Sequence, residues 1–161
     1  MKKHKVNLQI CGAEEVGEKK REGVLKAVKR VTKAAALGDA YLSVALVSPR
    51  EMQLLNHKWR GKDAVTDVLS FAVQDGDVFP GAENVLGDVV ICVEKAKAQA
   101  KELGHSLKEE IAVLTAHGIL HLLGLDHERG EDDARMQAEC EMSILDCAGF
   151  KPEIALTMRS I

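Results

Sequence analysis

Three imidazoles fall within eleven residues, in the run His117-Gly-Ile-Leu-His-Leu-Leu-Gly-Leu-Asp-His127. In an α-helix, positions four apart differ by about 40° around the axis and about 6 Å along it. His117 and His121 therefore project from one face at a spacing suited to chelating a single ion. Gly124 falls where that helix should end, and glycine can take the left-handed conformation that turns the chain. The turn can bring His127 back toward the same ion. Three imidazoles leave a tetrahedral metal one open position, which is the arrangement of a catalytic rather than a structural zinc site. Neutral ligands also keep the dication's full charge at the site, favouring ionisation of a bound water near neutral pH. A lone histidine on an apolar helix is ordinarily a core or surface residue, but here half of the chain's six histidines share one short run. The spacing predicts one Zn(2+) per chain, held by His117, His121 and His127, although imidazole also suits nickel, copper and iron.

Metzincin proteases use the same spacing, as H-E-x-x-H-x-x-G-x-x-H. Gly118 stands here where those enzymes place the glutamate that takes a proton from water and passes it to the leaving amine. A zinc peptidase is thus supported by spacing and opposed by Gly118. Asp126 could replace the missing base or fill the open metal position. It could equally orient a ligand imidazole or cap the loop, and these two supporting roles are the favoured readings.

The elements that must position these residues are legible in outline. Residues 5–11 alternate like a first strand. A helix is expected from about Glu18 to Leu37, with Val24, Leu25, Val28, Val31 and Ala35 on its apolar stripe and Gly38 after it. Its other face carries a basic ridge of Lys26, Lys29, Arg30 and Lys33. Tyr41 to Val47 reads as the second strand. Ser48-Pro49-Arg50-Glu51 then supplies an N-cap, a first-turn proline and a capping box for a helix buried through Met52, Leu55 and Trp59 and ended by Gly61. Strands follow around Asp67–Val73 and Gly87–Val93, with an irregular loop from Gln74 to Leu86 between them. A helix from about Glu94 to Leu103 stops at Gly104. Ser106 and Glu109 form a second capping box, opening the helix that bears the histidines, and a last helix covers about Asp133 to Ala148. The pattern predicts a single α+β domain over residues 1–161. About four strands form a mixed sheet packed with about five helices, with the metal site at the end of the helix bearing H-x3-H.

Composition excludes several classes. With 46% apolar and 29% charged residues among 161, the chain can bury one ordinary core. No run approaches the roughly 18 apolar residues of a membrane span. Met1 to Lys5 is charged, but the apolar run behind it (Val6 to Ile10) is too short for a secretory signal, so a cytoplasmic location is expected. Cys11, Cys92, Cys140 and Cys147 show neither paired nor zinc-ribbon spacing and read as buried free thiols. The net charge of −3 divides unevenly, at +8 over residues 1–62 and −11 over the remainder. Such a split suits a surface for an anionic partner. Aromatic content of only 3% argues against a base-stacking platform, so contacts to such a partner would come mainly from Lys and Arg and weaken with salt.

The string His117-Gly-x-Leu-His-Leu-x-Gly-x-Asp-His127 resembles the signature of the YbeY family, bacterial ribosomal-RNA maturation factors described as metal-dependent endoribonucleases. Thr66-Asp-Val-Leu-Ser-Phe71 is similar to that family's central strand motif, Asn56-x-x-x-Arg60 to its polar helix-end pair, and Gly87-Asp-Val-Val-Ile91 to its next strand. The agreement runs in order from about residue 41 to 127, with no departure at the ligand positions. The resemblance implies an α+β fold with zinc at the mouth of a cleft and single-stranded RNA as substrate. It also implies a role in small-subunit ribosomal-RNA 3′-end maturation and ribosome quality control, on ribosomal particles, with ribosomal proteins or an assembly GTPase as possible partners. Under it, His117 and Arg60 are the catalytic pair, Arg60 clamping the phosphodiester as charge builds, whereas its place at a helix end by itself would make it no more than a favourable dipole partner. Arg60, Lys62 and Ser70 contact substrate, while Asn56, Gly124 and Asp126 support the site. A non-catalytic assembly factor whose zinc stabilises the fold is the remaining rival. Nothing in the pattern sets an oligomeric state.

Overall fold

In the computed structural model, which describes residues 5–73, 84–126, 129–156 and 159, short alternating segments form strands and longer periodic ones form helices. The order is β1 (Asn7–Cys11), α1 (Glu18–Ala34), β2 (Tyr41–Val47), α2 (Pro49–Arg60), β3 (Val68–Ala72), β4 (Val85–Cys92), α3 (Val93–Leu103), α4 (Leu107–Leu122) and α5 (Glu131–Cys147). The four strands lie in the order β1-β2-β4-β3. β1, β2 and β4 run parallel and β3 antiparallel, so the sheet is mixed, as expected.

Strand alternation sends side chains to two faces. Leu42, Val44 and Leu46 of β2, with Val89 and Ile91 of β4, join the larger core formed with α1, α4 and α5. Val47, Val90 and Cys92 point the other way and meet Met52 of α2 and Leu69 of β3 in a smaller core. α4 is buried nearly all round, from Ile111 to Leu120 without a break. A helix apolar on every side belongs in the middle of a fold. The two described histidines of the motif are thus carried by the most enclosed helix of the molecule.

Local chemistry moved several boundaries. α1 ends at Ala34 rather than Leu37, because Ala36 already takes a left-handed turn at φ 52°. β3 begins at Val68, whose N–H donates to the Asp67 carboxylate at 2.8 Å. β4 starts at Val85, so Val85 and Leu86 belong to the strand rather than to a loop; Val85 pairs with Tyr41 of β2 and Leu86 sits in the bulge before Gly87 pairs with Leu42. Residues 74–83 of that expected loop lie outside the described residues. α5 begins at Glu131, where three acidic residues meet the positive end of the helix dipole.

The capping box at Ser106 and Glu109 closes in both directions. The one at Ser48 closes only halfway: its hydroxyl accepts the Glu51 N–H at 3.2 Å, but the Glu51 carboxylate meets that hydroxyl instead of the Ser48 N–H. Two expectations fail outright. Trp59 is 62% exposed rather than buried, because α2 covers only a narrow core and its last turn projects past it. Among the cysteines, Cys92 is buried and Cys140 partly so, but Cys11 and Cys147 are exposed, Cys11 lying on the outer edge strand. All four are free thiols, and burial pushes the Cys92 thiol up from its ordinary pKa. No helix among the described residues is long and apolar enough to cross a membrane.

Candidate active site

The last turns of α4 and α2 open into one cleft of about 580 Å³, whose wall includes Arg60, Asp67, Ser70, His117, His121 and Asp126. A larger groove of about 860 Å³ lies between β1 and α1, lined mostly by aliphatic side chains and lysines. The smaller cleft is where titratable and metal-ligating groups converge, so chemistry rather than size selects it.

His117 is 6% exposed and His121 partly buried. Their Nε2 atoms stand 3.0 Å apart, with rings edge-on at 63°. On the far side of the His117 ring, Nδ1 lies 3.1 Å from Oε2 of Glu141. A carboxylate only accepts, so the Nδ1 proton points at Glu141 and the His117 Nε2 lone pair is left facing His121. The second Glu141 oxygen accepts the N–H of Leu156, and the Gln137 amide nitrogen stands 3.3 Å from His117 Nδ1. This imidazole–carboxylate pairing fixes both the tautomer and the ring orientation. Two imidazole nitrogens so close require a shared proton or a cation between them. For two nitrogens about 2.05 Å from a tetrahedral ion the separation would be about 3.3 Å. The pair therefore fits a divalent metal.

The third expected ligand, His127, lies outside the described residues. Among the described residues, no group of three His, Cys, Asp or Glu side chains forms a metal cluster. The turn expected to return the chain is present. α4 stops at Leu122, Gly124 takes φ 91°, and its N–H donates to the His121 carbonyl at 3.0 Å. Asp126 follows at the cleft wall.

Gly118 packs where α4 crosses the sheet. A Cβ there would stand 2.6 Å from Cγ1 of Val89 and 3.2 Å from the Ser70 hydroxyl. Ser70 and Val89 are direct partners across β3 and β4. Position 118 is thus aimed into the sheet, so a metzincin-type glutamate could not be housed there without moving β4. The spacing is shared with those peptidases, but the general base is excluded sterically as well as by sequence.

Other expected site residues separate into two groups. Arg60 is exposed at the last position of α2 and lines the cleft, and among the described residues no carboxylate pairs with it. Ser70 also lines the cleft, but its hydroxyl donates to the Gly118 carbonyl at 3.0 Å, tying β3 to α4. Asn56 is buried away from the cleft lining. Its Nδ2 donates to the Ala64 carbonyl at 2.8 Å and its backbone carbonyl accepts the Lys62 N–H at 3.3 Å. It therefore shapes the loop that follows Arg60. Lys62 is exposed, but it is not part of the cleft wall. Neither are the basic-ridge residues of α1.

Sequence reasoning missed Glu141, Gln137, Trp59 and Arg129. Glu141 and Gln137 are four apart on one face of α5, which was a usable signal: buried polar residues on an apolar stripe require partners. Trp59 and Arg129 line the cleft, but nothing in their spacing marks them.

The family model described as endoribonuclease YbeY matches residues 7–148. The chain is similar to curated proteins named endoribonuclease YbeY. It is 44% identical to that of Macrococcus caseolyticus, over 72% of this chain and 77% of the relative. It is 42% identical to that of Bacillus pumilus, over 84% and 90%. The solution structure of a Thermotoga maritima protein, 26% identical, superposes with a TM-score of 0.56 over 89% of both chains. With the motif strands, the paired imidazoles and Arg60 assembled around one cleft, the chain belongs to the endoribonuclease YbeY family.

Proposed function

We propose that this chain is a zinc-dependent endoribonuclease that hydrolyses phosphodiester bonds in single-stranded RNA during ribosomal-RNA processing. Small-subunit 3′-end maturation and ribosome quality control are its setting. The observation that carries the reading is the convergence of the His117 and His121 Nε2 atoms in a cleft that also presents Arg60. His117, His121 and His127 would hold one Zn(2+). What the ion supplies when bound is Lewis acidity and a coordinated water of lowered pKa.

The chain's own residues do the rest. Glu141 holds the proton on His117 Nδ1, keeping the ring in one tautomer and aiming its Nε2 into the cleft. The exposed Arg60 guanidinium binds the non-bridging phosphate oxygens in a two-pronged contact. That contact strengthens as negative charge builds on phosphorus. Ser70 keeps β3 against α4 through Gly118, so the two walls of the cleft stay in register. Asp126, on the wall beside the ligand helix, orients a ligand imidazole or the loop. A cytoplasmic setting on ribosomal particles agrees with four free thiols, which persist in reducing compartments.

The test combines metal analysis with cleavage of a ribosomal-RNA fragment by the parent protein and by His121→Ala. One zinc per chain, with cleavage lost in the variant, is the expected result. Equal cleavage by folded parent and variant would sink the assignment. Bound zinc without any cleavage would favour the assembly-factor reading.

A further inference from the structure

Several large apolar side chains are exposed, including Tyr41, Leu54, Leu123 and Met136, so exposure alone does not distinguish Trp59. Its position does. Trp59 precedes Arg60 at the end of α2 and lines the same cleft as His117 and His121. The indole is supported but not enclosed. Phe71 of β3 meets it edge-on, with ring centroids 6.2 Å apart at 62°, and the Lys58 ammonium stands 5.1 Å from its centroid. The edge contact sets the plane of the ring, and 62% of the residue stays open to solvent.

An aromatic held in a fixed plane beside a cation is what an unpaired nucleobase requires, because stacking uses the π-face common to all bases and a guanidinium takes the adjoining phosphate. We propose that Trp59 is a base-stacking platform, on which one unpaired nucleobase of the RNA rests while Arg60 holds the neighbouring phosphate. The inference rests on the endoribonuclease reading and deepens it by assigning a residue to single-strand preference. A base in a duplex is already stacked on both sides and has no free face to offer. The contact reads no base edge, so it selects unpaired nucleotides without selecting sequence.

Trp59 is the only tryptophan of the chain, so fluorescence excited selectively in tryptophan, away from Tyr41, reports on this position alone. Zinc-loaded full-length protein would be titrated with oligothymidylate and with an abasic oligonucleotide of equal length and charge. Saturable quenching by the first and far less by the second is expected. In steady-state cleavage of single-stranded RNA, Trp59→Ala should raise KM about tenfold with kcat little changed, and Trp59→Phe should restore most of it. The preference for single-stranded over duplex RNA should shrink by a similar factor. The proposal is overturned if both oligonucleotides quench equally, or if Trp59→Ala, melting near the parent temperature, keeps the parent KM. A parent protein that cuts no RNA at all would sink the nuclease reading instead, and the quenching comparison would still decide whether Trp59 stacks on bases.

Discussion

The two sides of the cleft are built on opposite principles. On α4, His117 is buried and held at its rear nitrogen by Glu141, which is itself fully buried and tied to the Leu156 backbone. On α2, Trp59 and Arg60 are exposed; the backbone beneath them is fixed through the Gly61 helix end and the Asn56–Ala64 hydrogen bond, and the Trp59 ring meets Phe71 along one edge only. A side chain proposed to hold a metal ion must keep its orientation, which burial and a second hydrogen bond supply. A group that meets a flexible polymer must stay accessible, so it is anchored at its base and leaves a face open.

This contrast can be broken by experiment. Arg60→Ala should lower kcat/KM by about 10²–10³, comparable to removing one preorganised donor to a transition-state oxyanion, without changing metal content or melting temperature. If the variant also loses metal, the two sides are one structural unit and the contrast collapses. Glu141→Gln should weaken metal affinity by about 10–100-fold, measured by competition with a chelator, because the acceptor that fixes the His117 tautomer is altered. Unchanged affinity would show that burial alone orients the ring.

The helix-to-sheet contact behind the histidines gives a smaller, purely structural effect. Gly118→Ala should cost about 1–3 kcal/mol in denaturant unfolding, since its Cβ would press on Val89. Ser106→Ala, at the far end of the same helix, should cost about 1 kcal/mol at neutral pH. The Ser106 N–H that donates to the Glu109 carboxylate holds that carboxyl below its ordinary pKa. A depressed carboxylate pKa contributes stability above its unfolded value of about 4.3, and that contribution is lost as pH falls through the lower folded value. Ser106→Ala keeps that N–H but removes the hydroxyl that also donates to the Glu109 carboxylate at 2.9 Å, so this part of its cost should shrink below about pH 4, as read from unfolding curves at two pH values.

Much of the scaffold was legible because its signals are local. β2 spans the expected residues, and Gly61 and Gly104 end their helices where the pattern places them. The missed boundaries were set by one-residue effects, such as the left-handed Ala36 and the Asp67 cap on Val68. The Trp59 error had another origin. Helical spacing assigns a stripe, but how far the stripe is covered depends on the width of the neighbouring sheet. At β3 the sheet ends.

What the sequence determined by itself was the chemistry of one helix face. Histidines four apart on α4 must share a face, because 3.6 residues per turn leave no alternative. Gly124 was the position able to turn the chain behind them. Only the tertiary structure decided what stands around that face. Glu141 reaches His117 from 24 residues away on another helix, and Arg60 and Trp59 reach the cleft from the opposite side of the sheet. Such pairings depend on how helices and strands pack, and packing is settled by burial of side chains over the whole core rather than by any local spacing.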